Sequence, residues 1–202
     1  MNHWDLIFFL FADTDGDLWK SGNPAPELEG KLQLVHKLIK EILDVMPMLP
    51  VQMRKQLRSE FPYYKQPNFK IVAYIHNLLA VLEYCPNMMH DVLELIFENL
   101  LLIDVNVTRE QIEQSEEDDC DDEDCDEMKL PVAETLDLCM EKILGYFKTK
   151  LSEESTMDKE LQRVMTQAIF HYFDEHIIKT YTKHVHFVLF YIASFRVSRG
   201  EN

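Results

Sequence analysis

Residues 68–104 read NFKIVAYIHNLLAVLEYCPNMMHDVLELIFENLLLID, and this stretch decides the fold. Apolar residues recur every three or four positions on both sides of Pro86, which predicts two amphipathic helices. The Cys85-Pro86 step should end the first helix, because the residue before a proline avoids the α region. Asn68 and Asn87 occupy positions suited to helix N-caps. The stretch therefore predicts an antiparallel helix pair.

The inward faces of this pair predict that it has neighbours. The predicted inward residues are Ile71, Ile75, Leu78 and Leu82 in the first helix and Val92, Leu95, Ile96, Asn99 and Ile103 in the second. Each apolar side chain buried between helices contributes about 1.5 to 3 kcal/mol. An isolated pair would leave its outer apolar faces in water, so further pairs must cover them, as in helical repeat proteins. We therefore expect a stack of helix pairs.

The composition favours an all-α class. Only five of the 202 residues are glycines, and they are not clustered, whereas periodic runs of Leu, Ile, Met and Phe extend along the chain. This pattern argues against a phosphate-binding loop and against a dinucleotide fold. Hydrophobic residues make up 47% of the chain, which is enough for a continuous core. The four cysteines lie in unlike settings, which favours a reducing compartment over a disulfide framework.

The net charge limits the classes of partner. A formal charge of -16 argues against direct nucleic-acid binding by this segment, since neutralising phosphates requires a basic surface. The early apolar run Leu6–Ala12 is short, follows Asp5 and lacks the features of a signal peptide. No run approaches the roughly 20 apolar residues that span a bilayer. We expect a soluble intracellular protein without a membrane partner.

The chain divides into five parts. These are a divergent and unstructured N-terminus (1–26), a first set of stacked helix pairs (27–109), a disordered acidic loop (110–129), further stacked helices (130–196) and a divergent tail (197–202). Besides the pair in residues 68–104, three helices are predicted over Glu27–Met46, Pro50–Phe61 and Lys183–Phe195. Two more are predicted to begin after Leu130-Pro131 and after a capping signal formed by Ser155 and Asp158. Prolines mark most of these boundaries, because proline cannot continue a helix from its interior.

A basic group lies on the outer face of the second predicted helix. Arg54, Lys55 and Arg58 lie opposite the apolar positions of that helix. One interpretation is an ordinary solvated face, and the other is a docking patch for an acidic surface of a partner protein. These three residues are the candidate partner-binding residues.

The segment Glu110–Glu127 is the one low-complexity part of the chain. Its sequence, EQIEQSEEDDCDDEDCDE, carries too many like charges to pack against a core, so we expect a disordered loop that projects from the stack. It is either a solubilising insert or an electrostatic contact whose effect falls with salt. Ser115 is followed by four consecutive acids and is a candidate for an acid-directed kinase, whose phosphate would add about -1.5 to -2 charges.

We predict no catalytic residue, no cofactor and no metal site. The groups considered are Asp13, Asp15 and Asp17 as a calcium loop, His171 with His176, His184 with His186, and Cys120 with Cys125. The aspartates lack the glycine and the terminal glutamate of a calcium loop, and neither histidine pair has the i, i+4 spacing that places two ligands on one helical face. The cysteine pair has no second ligand pair at zinc spacing. Carboxylates massed in a solvated loop cannot act as a tuned acid and base.

The last predicted helix is apolar nearly all round. Its sequence VHFVLFYIASF should be buried on both sides, yet no further helix follows to cover it. We therefore expect about three helix pairs and one unpaired helix, as in a fragment or truncated form of a longer protein. Self-association through the exposed last helix is a further expectation.

Several blocks of this sequence resemble one family. YIHNLL (Tyr74–Leu79), VLELIFENLL (Val92–Leu101) and IDVNVTREQIE (Ile103–Glu113) are similar, in this order and spacing, to the N-terminal helical region of the RNA polymerase I-specific transcription initiation factor family, also called transcription initiation factor IA. LPVAETLDL (Leu130–Leu138) and HVHFVLFYIASF (His184–Phe195) continue the likeness. The resemblance covers roughly residues 28–195.

This resemblance implies a fold and a function that composition alone does not give. The fold would be a HEAT-like α-solenoid of stacked antiparallel helix pairs. The function would be to bind RNA polymerase I and connect it to the promoter-bound selectivity complex for ribosomal RNA synthesis, in the nucleolus of the nucleus and without catalysis. The alternative is a generic helical-repeat scaffold or transport adaptor with no role at the polymerase.

Overall fold

The computed structural model describes residues 16–20, 22–46, 48–107, 131–152, 155, 157–179, 182 and 184–198. Within these residues there are seven α-helices and one short β-ribbon. The helices are α1 (Pro26–Val45), α2 (Leu49–Ser59), α3 (Asn68–Tyr84), α4 (Met89–Asn106), α5 (Pro131–Leu151), α6 (Lys159–Tyr172) and α7 (Phe187–Ser198), and the ribbon pairs β1 (Trp19–Lys20) with β2 (Asn23–Pro24). The all-α class is confirmed.

The helices form two ranks. In the first rank, α1 packs on α3, α3 on α5 and α5 on α7, while in the second rank α2 packs on α4 and α4 on α6. Consecutive helices thus alternate between the ranks, which is the arrangement of a stacked solenoid. The predicted stack is confirmed, and the described part of the chain contains three helix pairs with α7 beyond them. None of the described helices combines the length and the apolar character that crossing a membrane requires.

The predicted core of the central pair is largely confirmed. The predicted inward residues of α3 and the predicted aliphatic residues of α4 are at most 4% exposed. Asn99 is the exception: it is only partly buried, and its side-chain amide donates to the Leu95 carbonyl at 2.8 Å. Because its side-chain amide is hydrogen-bonded within its own helix, Asn99 does not need to be buried in the core. Its position in the apolar pattern therefore does not indicate burial.

Both predicted asparagine caps of the central pair are wrong. Asn68 is the first residue of α3, and Pro67 takes the N-cap position with φ -49° and ψ 139°. Asn87 lies inside the 3₁₀ turn Pro86–Met88, and α4 is capped at Met88. No side-chain cap hydrogen bond is made at either helix start. Rigid proline backbones begin both turns instead, since proline fixes φ near the helical value.

The start of α6 also differs from its prediction. Asp158 occupies the N-cap position without a side-chain cap hydrogen bond. Ser155 lies before the helix, and its Oγ accepts a hydrogen bond from the Met157 backbone N–H at 3.1 Å. The serine therefore stabilises the turn that leads into α6 and not the helix end itself.

The expected unstructured N-terminus is wrong for the described residues from Gly16 to Pro26. Trp19 in β1 is only 7% exposed and packs with Leu32 of α1 and Ala73 of α3. Gly22, at φ 73°, supplies the left-handed residue between the two strands, a conformation that favours glycine. Burying one indole joins the ribbon to the first rank. Two-residue strands carry no periodicity that a sequence could display.

The last helix begins later than expected and is covered on one side. It starts at Phe187 and not at residue 183, because residues 184–186 form a preceding turn. Val188 and Ile192 are buried against α5 and α6, whereas Phe187 is 55% and Phe190 65% exposed. The apolar outer face predicted for this helix is therefore present, and self-association through it stays a prediction.

Several predictions lie outside the described residues. The acidic loop, with Ser115, Cys120 and Cys125, falls between residues 108 and 130. Asp13 and Asp15 also fall outside the described part, as do residues 199–202 of the tail.

Candidate partner-binding surface

The predicted basic group lies where α2 packs on α4 in the second rank. Arg54 and Arg58 are four residues apart, so both guanidinium groups lie on the same side of α2. Arg54 Nη1 is 3.2 Å from Asp91 Oδ2. Arg58 pairs with Glu98 and lies 3.8 Å from Glu94 Oε2. The two arginines therefore form an ion-pair ladder with α4.

The ladder is a surface feature with a small effect on stability. Its side chains are 30 to 50% exposed, and exposed ion pairs of this kind contribute about 0 to 1 kcal/mol each. Because acids of α4 compensate the two arginines, this surface alternates in charge instead of being uniformly basic. Lys55, the third predicted residue, is exposed on α2. We call these six residues, Arg54, Lys55, Arg58, Asp91, Glu94 and Glu98, the charged ladder.

The acidic half of the charged ladder was absent from the sequence predictions. Asp91, Glu94 and Glu98 recur at i, i+3 and i+7, which places them on one face of α4. That spacing was visible in the sequence. The pairing with α2 was not, because it depends on how the two helices pack.

The histidines that were considered as metal ligands and set aside have separate partners in the structure. The His171 ring is tilted against that of His90 of α4, with ring centroids 5.7 Å apart, while His176 stacks on Tyr172 at 4.7 Å. His184 Nδ1 is 2.9 Å from Asp104 Oδ1, and His186 Nδ1 is 3.4 Å from the Thr182 hydroxyl. In the part of the chain that the structure describes, no group of three or more His, Cys, Asp or Glu side chains could hold a metal ion.

A cleft of about 470 Å³ opens in the first rank, between α3, α5 and the β-ribbon. We call it the first-rank cleft. It is lined by Gly22 and Asn23 of the ribbon, by His76, Leu79 and Glu83 of α3, and by Leu138, Glu141, Lys142, Gly145, Tyr146, Thr149 and Lys150 of α5. Lys150 Nζ lies 2.6 Å from Glu83 Oε2, and Lys142 Nζ donates to Asn23 Oδ1 at 2.7 Å. These two contacts connect α3 with α5, and α5 with the ribbon.

His76 is a neutral base on the wall of this cleft. Burial, with smaller effects of the Lys142 and His36 charges, lowers the pKa of His76 to about 4. The edge of the Trp19 indole packs on the imidazole, with ring centroids 5.5 Å apart. His36, which is 3.1 Å from the Asn77 side-chain oxygen, also has its pKa lowered by burial. Both imidazoles are therefore uncharged near neutral pH.

Stability should fall when the medium is acidified, and His76 should account for part of the loss. An unfolded histidine titrates near pH 6.5, so the contribution of His76 is complete above that pH and is lost as pH falls toward about 4. The corresponding loss is up to about 3 kcal/mol. Urea unfolding at pH 7 and pH 4.5 should show a smaller difference for His76→Gln than for the wild type. The control His90→Gln, at an exposed position, should keep the wild-type difference.

Comparison with known protein families gives a match for this sequence. A family model described as RNA polymerase I specific transcription initiation factor RRN3 matches residues 11–130 and 111–201. The chain belongs to this family. Because the match begins at residue 11 and ends at residue 201, it includes parts of both ends that the sequence analysis set apart as divergent. Those parts of 1–26 and 197–202 are closer to the family than expected.

Individual family relatives agree with the family model. This chain is 26% identical to the RNA polymerase I-specific transcription initiation factor RRN3 of Mus musculus over 213 residues, which cover 92% of this chain and 32% of that protein. The putative RRN3-like protein RRN3P2 of Homo sapiens is 51% identical over 47 residues, 23% of this chain and 14% of the relative. The chain thus spans about a third or less of these relatives.

The family fold agrees as well. The crystal structure of RNA Polymerase I Transcription Initiation Factor Rrn3 superposes with a TM-score of 0.72 over 96% of this chain and 36% of that one. Sequence identity is 18%, so this similarity concerns the fold. The family predicted from the quoted sequence blocks is confirmed.

Proposed function

We propose that this chain acts in the initiation of transcription by RNA polymerase I, and that it does so by binding the polymerase. The observation that carries the proposal is the family match, which runs from residue 11 to residue 201. The mouse relative is named as an RNA polymerase I-specific initiation factor, which agrees with a role in binding and not in catalysis. A rigid stack with charged surfaces suits such a role, since helical repeats bind partners along extended faces.

The charged ladder is the surface that we assign to the polymerase. Lys55 is exposed beside two arginines that are held in fixed positions by α4. Fixed side chains lose less conformational freedom on binding than free ones, so the alternating pattern can select a complementary partner surface. Charged groups at the rim of an interface act mainly on association rate and on specificity.

Two finer parts of the proposed function rest on the family resemblance: a connection from the polymerase to the promoter-bound selectivity complex, and a nucleolar location. A third, modulation of affinity by phosphorylation at Ser115, rests on the acidic residues that follow this serine. A phosphate at Ser115 would add negative charge next to four consecutive acids, and its effect on binding should weaken as salt rises.

Charge reversal within the ladder should separate binding from folding. We expect Lys55→Glu to weaken retention of purified RNA polymerase I about tenfold at low salt and less at high salt, because exposed charges are screened. The double variant Arg58→Glu with Glu98→Arg keeps an internal ion pair but reverses its direction. It should therefore unfold like the wild type and still bind the polymerase more weakly.

The matched control is Lys148→Glu, at an exposed lysine of α5 in the other rank. It should leave polymerase retention unchanged. Equal retention by all of these folded variants would remove the ladder from the interface. Failure of the wild-type chain to retain the polymerase at all would favour the scaffold or adaptor alternative.

A further inference from the structure

Ser155 lies in the connection between α5 and α6. The first helix ends at Leu151 and the second begins at Lys159, and the Ser155 side chain is partly exposed between them. Its backbone N–H donates to the Ser152 carbonyl at 3.1 Å, and its Oγ accepts the Met157 N–H at 3.1 Å. Both partners lie within three residues of Ser155. The turn can therefore open locally without unfolding the stack, as surface connections do.

Asp158, three residues after Ser155, has a carboxylate that α6 does not use. The residue occupies the N-cap position with φ -57° and ψ 139°, and its side chain makes no cap hydrogen bond. Its side chain is exposed. An exposed acid three residues after a hydroxyl is the feature that acid-directed protein kinases recognise, because kinases select their substrates by charge pattern. The helix start thus leaves this carboxylate accessible to a partner.

This arrangement distinguishes Ser155 from the other hydroxyl residues. Of the serines and threonines whose side chains the structure describes, Ser155 alone is followed by an acid at the third position. The others have a neutral residue at that position, and they are Ser59, Thr135, Thr149, Ser152, Thr166, Thr182 and Ser194. Thr135 and Thr166 are in addition buried. An acid-directed kinase would therefore discriminate among these hydroxyls in favour of Ser155.

We propose that Ser155 is a phosphorylation site for an acid-directed protein kinase, and that Asp158 is the residue by which the kinase recognises it. The kinase supplies ATP as the phosphoryl donor. A bond forms between Ser155 Oγ and the γ-phosphorus of ATP, while the bond from that phosphorus to the β,γ-bridging oxygen breaks and ADP leaves. The hydroxyl proton passes to the catalytic base of the kinase.

A phosphate at Ser155 strengthens the turn ahead of α6. It brings about -1.5 to -2 charges and three acceptor oxygens, so the Met157 N–H gains a charge-assisted acceptor. The helix N-terminus carries a partial positive charge and Lys159 is exposed there, and both favour an anion. The exposed acids Asp158 and Glu160 oppose it, but salt screens exposed charges. Because Met157 packs against the main core, a firmer turn also holds the edge of the core.

A kinase assay on the full folded chain tests the proposal. A Ser115→Ala background removes the candidate serine of the acidic segment, and the probe is a purified acid-directed kinase with ATP. Mass spectrometry should locate phosphate on Ser155. Asp158→Asn should slow its incorporation at least about fivefold, because the kinase loses its charge partner. Asparagine caps a helix about as well as aspartate does, so this variant keeps α6.

The matched control is Glu160→Gln, which neutralises an exposed acid two positions further along. It should keep the wild-type rate of incorporation at Ser155. Equal rates for the unsubstituted background and Asp158→Asn would overturn the proposal. So would phosphorylation of a synthetic peptide of residues 149–161 without phosphorylation of the folded chain, since the turn would then shield the serine.

Hydrogen exchange of the phosphorylated chain tests the effect on the turn. The Met157 amide should exchange about threefold more slowly or less than that, because its acceptor is now charged. The Gly145 amide, within α5, should exchange as before. An unchanged rate at Met157 would overturn the assigned effect on the turn. No polymerase enters these experiments, so their results are separate from that of the proposed function.

Discussion

Replacing Asp104 by alanine is expected to release α7 from the stack. Asp104, near the end of α4, is 0% exposed, and its Oδ2 accepts the backbone N–H groups of His184 at 2.9 Å and Val185 at 3.1 Å. Its Oδ1 also contacts His184 Nδ1 at 2.9 Å. The substitution removes these contacts together and leaves two backbone donors unpaired, each costing about 1 to 3 kcal/mol. We expect a total loss of about 3 kcal/mol or more.

Hydrogen exchange should show where this free energy is lost. In Asp104→Ala, the amides of Val188 and Ile192 should exchange much faster than in the wild type. The amides of α3 should exchange nearly as slowly as they do in the wild type. His184→Ala removes only a partly exposed ring and should cost about 1 kcal/mol. Asp137→Ala, at an exposed aspartate of α5, should change stability by less than about 0.5 kcal/mol. Unchanged protection of α7 in Asp104→Ala would contradict this account.

The sequence could not have revealed the role of Asp104. An aspartate at the end of an amphipathic helix normally indicates an exposed position, and its partners lie 80 and 81 residues further along the chain. Only the docking of α7 brings them together. The same contact explains why the last helix begins at Phe187, since the preceding turn is fixed by the carboxylate. A prediction from helical periodicity alone extended that helix back to residue 183.

The helix pairs themselves were predictable because their information is local. Ile75 and Leu82 repeat at helical spacing, and Pro86 breaks the pattern, so both the existence of the pair and its corner follow from neighbouring residues. The stack followed from one further step, namely that exposed apolar faces need cover. The charged ladder was half predictable: Arg54 and Arg58 were visible as an outer face, but their acidic partners depended on the packing of two helices.

More residues of α4 are buried than its apolar pattern predicts. The helical spacing of its apolar residues predicts one inward stripe, yet Leu93, Phe97 and Leu100 are also buried. The cause is the stack itself, since α4 packs on α2, α3, α5 and α6. A helix enclosed on several sides is apolar over most of its circumference, so a single stripe underestimates its buried surface. Phe97 is the largest residue that this assumption missed.

Truncating Phe97 to alanine is therefore expected to destabilise the whole stack. Its ring is 0% exposed and lies 5.7 Å from the rings of Tyr172 and Phe173 and 6.4 Å from that of Phe147, centroid to centroid. These residues belong to α4, α5, α6 and the turn after α6, so a cavity here loosens the packing between the first and the second rank. Burial of this kind makes Phe→Ala cost about 3 to 5 kcal/mol, which lowers the thermal midpoint by on the order of 10 °C in a chain of this size.

Phe190 offers the matched control, because the same substitution there removes a ring that is 65% exposed on α7. Phe190→Ala should change the free energy of unfolding by no more than about 0.5 kcal/mol. Phe97→Leu, which leaves a smaller cavity, should fall between the two. Chemical denaturation of the three variants measures the order directly. Equal stability of Phe97→Ala and Phe190→Ala would mean that α4 is not enclosed by neighbouring layers, and the stacked architecture would have to be abandoned.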